Sequence, residues 1–176
     1  VPTVVVASGR DNPGSDTITT DEERGAALAV QHLVELGHTD IVHIDGAANI
    51  SSRARSRGYE KAMRSLGLEP RILRGGDDEA DAEAAIVNLA ETDSMPTAIF
   101  AYNDLVAASA LSTLEAAGLR VPDDESVVGY DNTFIAELNH MSLTTVNQPR
   151  HQMGQLAIRT VLERIEDDRT EPTRID

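Results

Sequence analysis

Thr97-Ala98-Ile99-Phe100-Ala101 is a short apolar run that meets Tyr102-Asn103-Asp104, passes into the Ala-rich stretch from Asp104 to Ala117 closed by Gly118, and is answered by Ser126-Val127-Val128-Gly129-Tyr130. Apolar runs this short, bounded by polar turn residues, read as buried strands rather than helices. The stretch between them has helix length and ends in the glycine that favours a left-handed C-terminal cap. Strand, helix, strand without a hairpin turn is a crossover unit, so the two strands run parallel and the connection is right-handed.

The same alternation extends in both directions. Upstream stand Ile41 to Asp45, Ser52 to Leu66 ending at Gly67, Arg71 to Arg74, and Glu79 to Glu91. Before them Thr20 caps a helix, with Glu23 as capping-box partner and Asp21, Glu22 and Glu23 at the positive end of its dipole. Its inward stripe is Ala26, Ala29, Val30, Leu33 and Val34, and Gly37 stops it. Downstream come a strand from Leu143 to Val146 and a last helix opened by Pro149, with Met153, Leu156, Ala157, Val161 and Ile165 inward. The first residues, Val1 to Ala7, look like an interior strand, and Ser8 to Thr19 reads as a loop. The fold class is α/β, a doubly wound parallel sheet. A chain that opens inside a sheet reads as a piece of a longer protein.

Composition narrows the functions. The 176 residues carry 15 Lys+Arg against 30 Asp+Glu, a net charge of −15. Such a surface repels phosphate backbones, so these residues are not expected to touch DNA themselves. Aromatics at 3% with no Trp leave no stacking platform for single strands. The absence of Cys removes disulfides, thiolate metal sites and cysteine nucleophiles, and fits a reducing cytoplasm. No apolar run has the length of a membrane span.

Ligands of open parallel sheets bind beyond the carboxyl ends of the strands, near a reversal of strand order. The residues found there are small or polar. Arg55 offers a fork of donors, Asn103 one acceptor and two donors, and Asp131 two acceptor oxygens, an inventory that matches vicinal hydroxyls on a small polar ligand. The plainer alternatives stand beside this reading. Asn103 could simply cap its helix, Asp131 with Asn132 could form an Asx-turn, and Arg53, Arg55 and Arg57 could be a solvated helix face. For catalysis the signals are absent: His32, His38, His43, His140 and His151 have no metal-ligand spacing, and no phosphate-binding loop, nucleophile elbow or dinucleotide fingerprint occurs. Asp77, Asp78, Glu79, Asp81 and Glu83 read as an acidic helix start rather than a cation site. No metal or cofactor is expected, and no enzyme activity.

Three blocks carry a resemblance: Pro96 to Asp104, Gly118 to Asn132, and Leu143-Thr144-Thr145-Val146-Asn147-Gln148-Pro149 followed by Met153-Gly154 and Ala157. Together with His32-Leu33, Gly37-His38, and Arg55 before Gly58-Tyr59, they resemble the LacI/GalR family of bacterial transcription regulators over nearly the whole chain. Periplasmic sugar-binding proteins of transporters share several segments and remain the alternative. The Leu143 to Pro149 block with Met153-Gly154 points to the regulators.

The resemblance implies a two-lobed, periplasmic-binding-protein-like effector domain. Residues 1–19 and 148–176 would belong to a partial N-terminal lobe and 21–147 to a complete C-terminal lobe, with the last strand lying after Asp176. The DNA-binding headpiece would lie outside this chain and hold the operator. The family's effector contacts fall on Arg55, Asn103 and Asp131, with Ser51, Thr20, Asp78 and Gln148 as lesser candidates. Asp78 stands where many relatives place an aromatic, and Ala7 where some have an acid. The implied partners are a small effector, a carbohydrate first, and a second copy in a cytoplasmic homodimer.

Overall fold

The computed structural model describes residues 1–6, 13–46, 49–76, 79–90, 95–166 and 171–175. In chain order the elements are β1 (Val4–Val6), β2 (Asp16–Ile18), α1 (Glu22–Glu35), β3 (Ile41–Asp45), α2 (Ile50–Ser65), β4 (Arg71–Arg74), α3 (Glu79–Ala90), β5 (Ala98–Ala101), α4 (Asp104–Ala116), β6 (Ser126–Asp131), β7 (Thr144–Asn147), α5 (Arg150–Glu166) and β8 (Arg174–Ile175). Every strand pairing is parallel. The chain divides into two compact units, Glu22–Asn147 and Val1–Asp21 with Gln148–Asp176.

In the larger unit the strand order is β4-β3-β5-β6-β7. Order reverses between β3 and β5, so the crevice beyond their carboxyl ends is where a ligand is expected. The strands alternate between two cores with the period of two that a pleated sheet imposes. Val42, Ile44, Ile99, Ala101 and Val127 face α3 and α4, whereas Ile41, Ala98, Phe100, Val128 and Tyr130 face α1 and α2. Burial on both sides explains why these strands are continuously apolar. Helices α1 and α2 approach closely at Gly58, where a Cβ would overlap the Glu23 carbonyl oxygen.

The smaller unit has strand order β1-β2-β8 with α5 packed on β1 and β2. It corrects the sequence reading three times. The segment read as loop contains β2, a strand fixed by Asp16, whose carboxylate is fully buried and accepts from Thr173 N–H at 2.7 Å and from Arg164 at 3.2 Å. A strand that the sequence reading did not assign is present at Arg174–Ile175, paired with β2. On α5, Ile165 is 59% exposed, and Thr160 and Arg164 are buried. Arg164 turns inward because a buried carboxylate there requires a cation.

Two buried side-chain atoms of the larger unit have no hydrogen-bond partner among the described residues, His43 Nε2 and Glu125 Oε2. His43 stacks 4.6 Å from the Phe100 ring and donates from Nδ1 to the Phe100 carbonyl at 2.9 Å. Burial pulls its pKa from 6.5 to about 4. Burial, with Asp40 and Asp124 nearby, pushes Glu125 from 4.5 up to about 7. Folded His43 resists a proton that the unfolded chain takes up below pH 6.5, so its contribution is lost as pH falls from 6.5 toward 4. Folded Glu125 keeps a proton that the unfolded chain releases above pH 4.5, so its contribution is lost as pH rises from 4.5 toward 7. The two slopes oppose each other. Glu125→Gln should therefore stabilise the fold near pH 8, by on the order of 2 kcal/mol, and uncover the His43 slope on acidification. Scanning calorimetry across that range checks both effects, and a variant that tracks the parent at every pH refutes them.

Candidate functional site

Asn49 caps α2, its Oδ1 accepting the Ser52 N–H at 2.8 Å while its Nδ2 donates to the Tyr102 hydroxyl at 3.1 Å. The cap ties the loop after β3 to the residue after β5. From the second turn of α2, Arg55 points toward the carboxyl ends of the strands, and its side chain is only 4% exposed. Nε donates to Glu22 at 2.7 Å, one terminal nitrogen to the Tyr102 carbonyl at 2.5 Å, and the other to Asp131 Oδ1 at 3.0 Å. The guanidinium carbon lies 3.7 Å from the Tyr130 ring centroid and 4.8 Å from that of Tyr102. Tyr130 also hydrogen-bonds Glu22.

Burial would pull the Arg55 pKa down, but the Glu22 hydrogen bond and the charges of Asp131 and Glu22 outweigh it and hold the guanidinium charged. Asp131 sits above the usual carboxylate range, because burial raises it by more than Arg55 lowers it. One cation thus faces two carboxylates, and the cluster has no surplus positive charge to offer an anion.

Arg55 and Asp131 are therefore in direct contact, as an ion pair at 3.0 Å. The solvated-face alternative holds for Arg53 and Arg57, which are exposed, Arg57 pairing with Glu23 at 2.8 Å. Asn103 adopts the capping alternative, its Oδ1 accepting Val106 N–H at 2.9 Å, and its amide nitrogen makes no hydrogen bond among the described residues. Asp131 is not spent on an Asx-turn: the N–H two residues on, that of Thr133, goes to Asp104 Oδ2 at 2.5 Å, Asn132 N–H goes to Thr145 Oγ1 at 3.3 Å, and Asp131 Oδ2 has no hydrogen bond among the described residues. Ser51 lies in the first turn of α2. Thr20 and Gln148 belong to the smaller unit. Asp78 and Ala7 fall outside the described residues.

Sequence reasoning missed four participants. Tyr102 and Tyr130 adjoin the chosen polar residues, and Glu22 was absorbed into the dipole argument. The fourth is Asp104, 1% exposed, which accepts from Thr133 N–H at 2.5 Å, Thr133 Oγ1 at 2.8 Å and Thr145 Oγ1 at 2.6 Å. Gly129 makes room for it, since a Cβ there would stand 2.7 Å from Asp104 Oδ1. These bonds hold the segment in which Asp131 and Asn132 take positive φ values of 101° and 51°, a region that only Gly, Asn and Asp visit readily. An acid directly after a helix-capping Asn was the available signal. Asp104→Ala leaves three donors unmatched and should cost about 3 kcal/mol, against about 1 kcal/mol for Thr145→Val. Urea denaturation measures both, and an Asp104→Ala chain as stable as the parent would show that the turn is held by something else.

A parallel α/β sheet with a polar cluster at its switch point defines a small-ligand-binding domain. Residues 30–176 match the family model described as periplasmic binding protein-like domain. The chain is 39% identical over 173 residues to the HTH-type transcriptional repressor PurR of Aliivibrio fischeri, covering 95% of this chain and 51% of that one. It is similar to the solved LacI transcriptional regulator from a Rhodococcus species, at 36% identity and TM-score 0.91, covering 99% and 66% of the two chains. It is also similar to a LacI family transcriptional regulator from Enterococcus faecium with bound ribose, at 30% identity and TM-score 0.87, again covering 99% and 66%. The chain belongs to the periplasmic binding protein-like domain family, as an effector-binding domain of the LacI/GalR kind. It spans about half the length of the curated relatives it matches. These relatives are regulators, which favours that reading over a transporter component.

Proposed function

We propose that this chain is the ligand-sensing part of a transcription repressor, in which a small neutral carbohydrate at the carboxyl ends of β3, β5 and β6 alters the whole protein's affinity for operator DNA. The observation that carries this reading is the Arg55–Asp131 pair at the switch point, its buried guanidinium lying against the rings of two tyrosines. Its charge is matched internally, which favours a neutral ligand. Asp131 Oδ2 accepts and the Asn103 amide donates, the complement of adjacent hydroxyls. The Enterococcus faecium relative was solved with ribose, which supports the same ligand class.

Ser51, Thr20, Gln148 and Asp78 are proposed as lesser contacts. Residues 1–19 with 148–176 act as part of one lobe and 21–147 as the other. DNA is held by a helix-turn-helix outside these residues, as the name of the Aliivibrio fischeri relative supports. With a charge of −15 this domain keeps off the phosphates. Ligand and operator are then linked reciprocally through one conformational equilibrium. The protein works in the cytoplasm and carries out no catalysis; among the described residues no helix is long and apolar enough to cross a membrane.

It acts as a homodimer through an apolar patch on the larger unit. Leu105 and Phe134 directly follow the hydrogen-bonded Asp104 and Thr133 and are 43% and 73% exposed, with Leu138 nearby in the chain at 40%. Exposed apolar groups in one patch mark interaction surfaces. Phe134→Asp is expected to shift the full-length protein toward monomer in sedimentation velocity; an unchanged dimer would place the interface elsewhere.

The deciding experiment is operator binding by the full-length protein, followed by fluorescence anisotropy, with a panel of pentoses and hexoses. Asp131→Ala removes a charged acceptor and should weaken the effective sugar by about a hundredfold or more while the variant stays folded by circular dichroism. A folded variant that responds like the parent removes Asp131 from the site, and a protein that ignores every neutral sugar overturns the ligand class.

A further inference from the structure

Helix α2 has a second flank. At about 3.6 residues per turn, Arg53 leaves the helix opposite Arg55, and Ser56 and Glu60 lie beside Arg53 on that outer side. There they line an open cleft of about 390 Å³ with Asp45, Gly46, Ser52, Ile72 and Arg74 from the edge of the sheet. That volume falls within the range of about 300–1,000 Å³ typical of small-molecule sites.

The charges in the cleft differ from those at Arg55. Arg57, also on its wall, is drawn to Glu23 at 2.8 Å, and Glu60 is paired with Arg64 at 3.1 Å. Neither Arg53 nor Arg74 closes an ion pair among the described residues, and the acid that remains is Asp45, half-buried, its Oδ1 accepting the Gly75 N–H at 3.2 Å. Among the described residues, these two guanidinium groups face one carboxylate, Asp45, on which the Arg74 charge already acts, a local excess of positive charge on a chain whose net charge is −15. Ser52 Oγ accepts the Gly46 N–H at 3.2 Å, so its O–H can donate into the cleft, as can that of Ser56.

We propose that this cleft is a second small-molecule site that takes a hydroxylated organic anion. Its phosphate or carboxylate lies between Arg53 and Arg74, and a hydroxyl is donated to Asp45. Arginine forks suit both oxyanions equally. Asp45 requires a hydroxyl on the ligand, so a bare anion binds less well. The site is separate from the carbohydrate site and gives the domain a second chemical input.

The test is a titration of the chain, by calorimetry and by amide chemical shifts, with four probes: a hexose 6-phosphate, citrate, inorganic phosphate and the unphosphorylated hexose. The phosphorylated hexose or citrate should bind more tightly than inorganic phosphate and shift the amides of Gly75 and Ser56 rather than those of Asn132 and Thr133. The tighter of the two identifies the natural oxyanion. Arg53→Gln with Arg74→Gln changes two exposed side chains and should weaken that binding at least tenfold. Asp45→Asn should erase the preference over inorganic phosphate. The proposal is overturned if neither organic anion binds at millimolar concentration, if the double variant binds as the parent does, or if the shifts fall at Asn132 and Thr133.

Discussion

A guanidinium that is 4% exposed cannot stand without partners, and the larger unit is organised around that constraint. Arg55 takes a carboxylate from the first turn of α1, a carbonyl from the end of β5 and a second carboxylate from the end of β6. The rings of Tyr130 and Tyr102 cover its faces. The ends of two strands and two helices are thereby fixed relative to one another at the point where strand order reverses. Lysine could not replace it, because a point charge has neither the planar fork nor the flat faces that this arrangement uses.

The partners of Arg55 are held in turn. Asp131 can face it only from a backbone in the left-handed region, and that backbone is kept there by the three bonds to Asp104 and by the link from Asn132 to Thr145. Tyr130 is seated against Gly25 of α1, where any Cβ would overlap its hydroxyl. On the other side, the Asn49 cap fixes Tyr102. The proposed ligand would meet acceptors and donors already oriented, so little of its binding energy would go into ordering them. Pre-organisation of this kind suits a sensor, whose response depends on a difference in affinity between two states of the protein.

The sequence made the parallel fold legible because doubly buried strands such as Ile99 to Ala101 leave a continuous apolar signature with glycine-stopped helices between them. Arg55, Asn103 and Asp131 became candidates for a topological reason: ligands of such sheets bind beyond the strand ends, whatever the loop sequences. What stayed hidden depended on contacts distant in the chain. Asp16–Ile18 is three residues long, with an acid and a threonine among them, and becomes a strand only through pairing with Val4–Val6 and Arg174–Ile175 and the buried bond to Arg164. Glu22 looked like one of three acids suited to a helix dipole. Only the position of Arg55, 33 residues on, distinguishes it. Asn103 fitted both readings from the start, because its oxygen caps α4 while an amide nitrogen remains that the cap does not use.

Arg53, Arg55 and Arg57 show how helix phase, more than residue type, sets function. The three side chains differ by two positions each, yet one is buried between aromatic rings with its charge cancelled, one is exposed in an ion pair with Glu23, and one is exposed without a closed pair among the described residues. A cancelled charge in a dry setting selects for neutral hydroxyls, because an added anion would meet Glu22 and Asp131 before it met a free cation. An uncancelled one beside a groove selects for the opposite. Each preference follows from which neighbours the helix turn presents, so the two faces of α2 can recognise different chemistries without any change in the residues that line them.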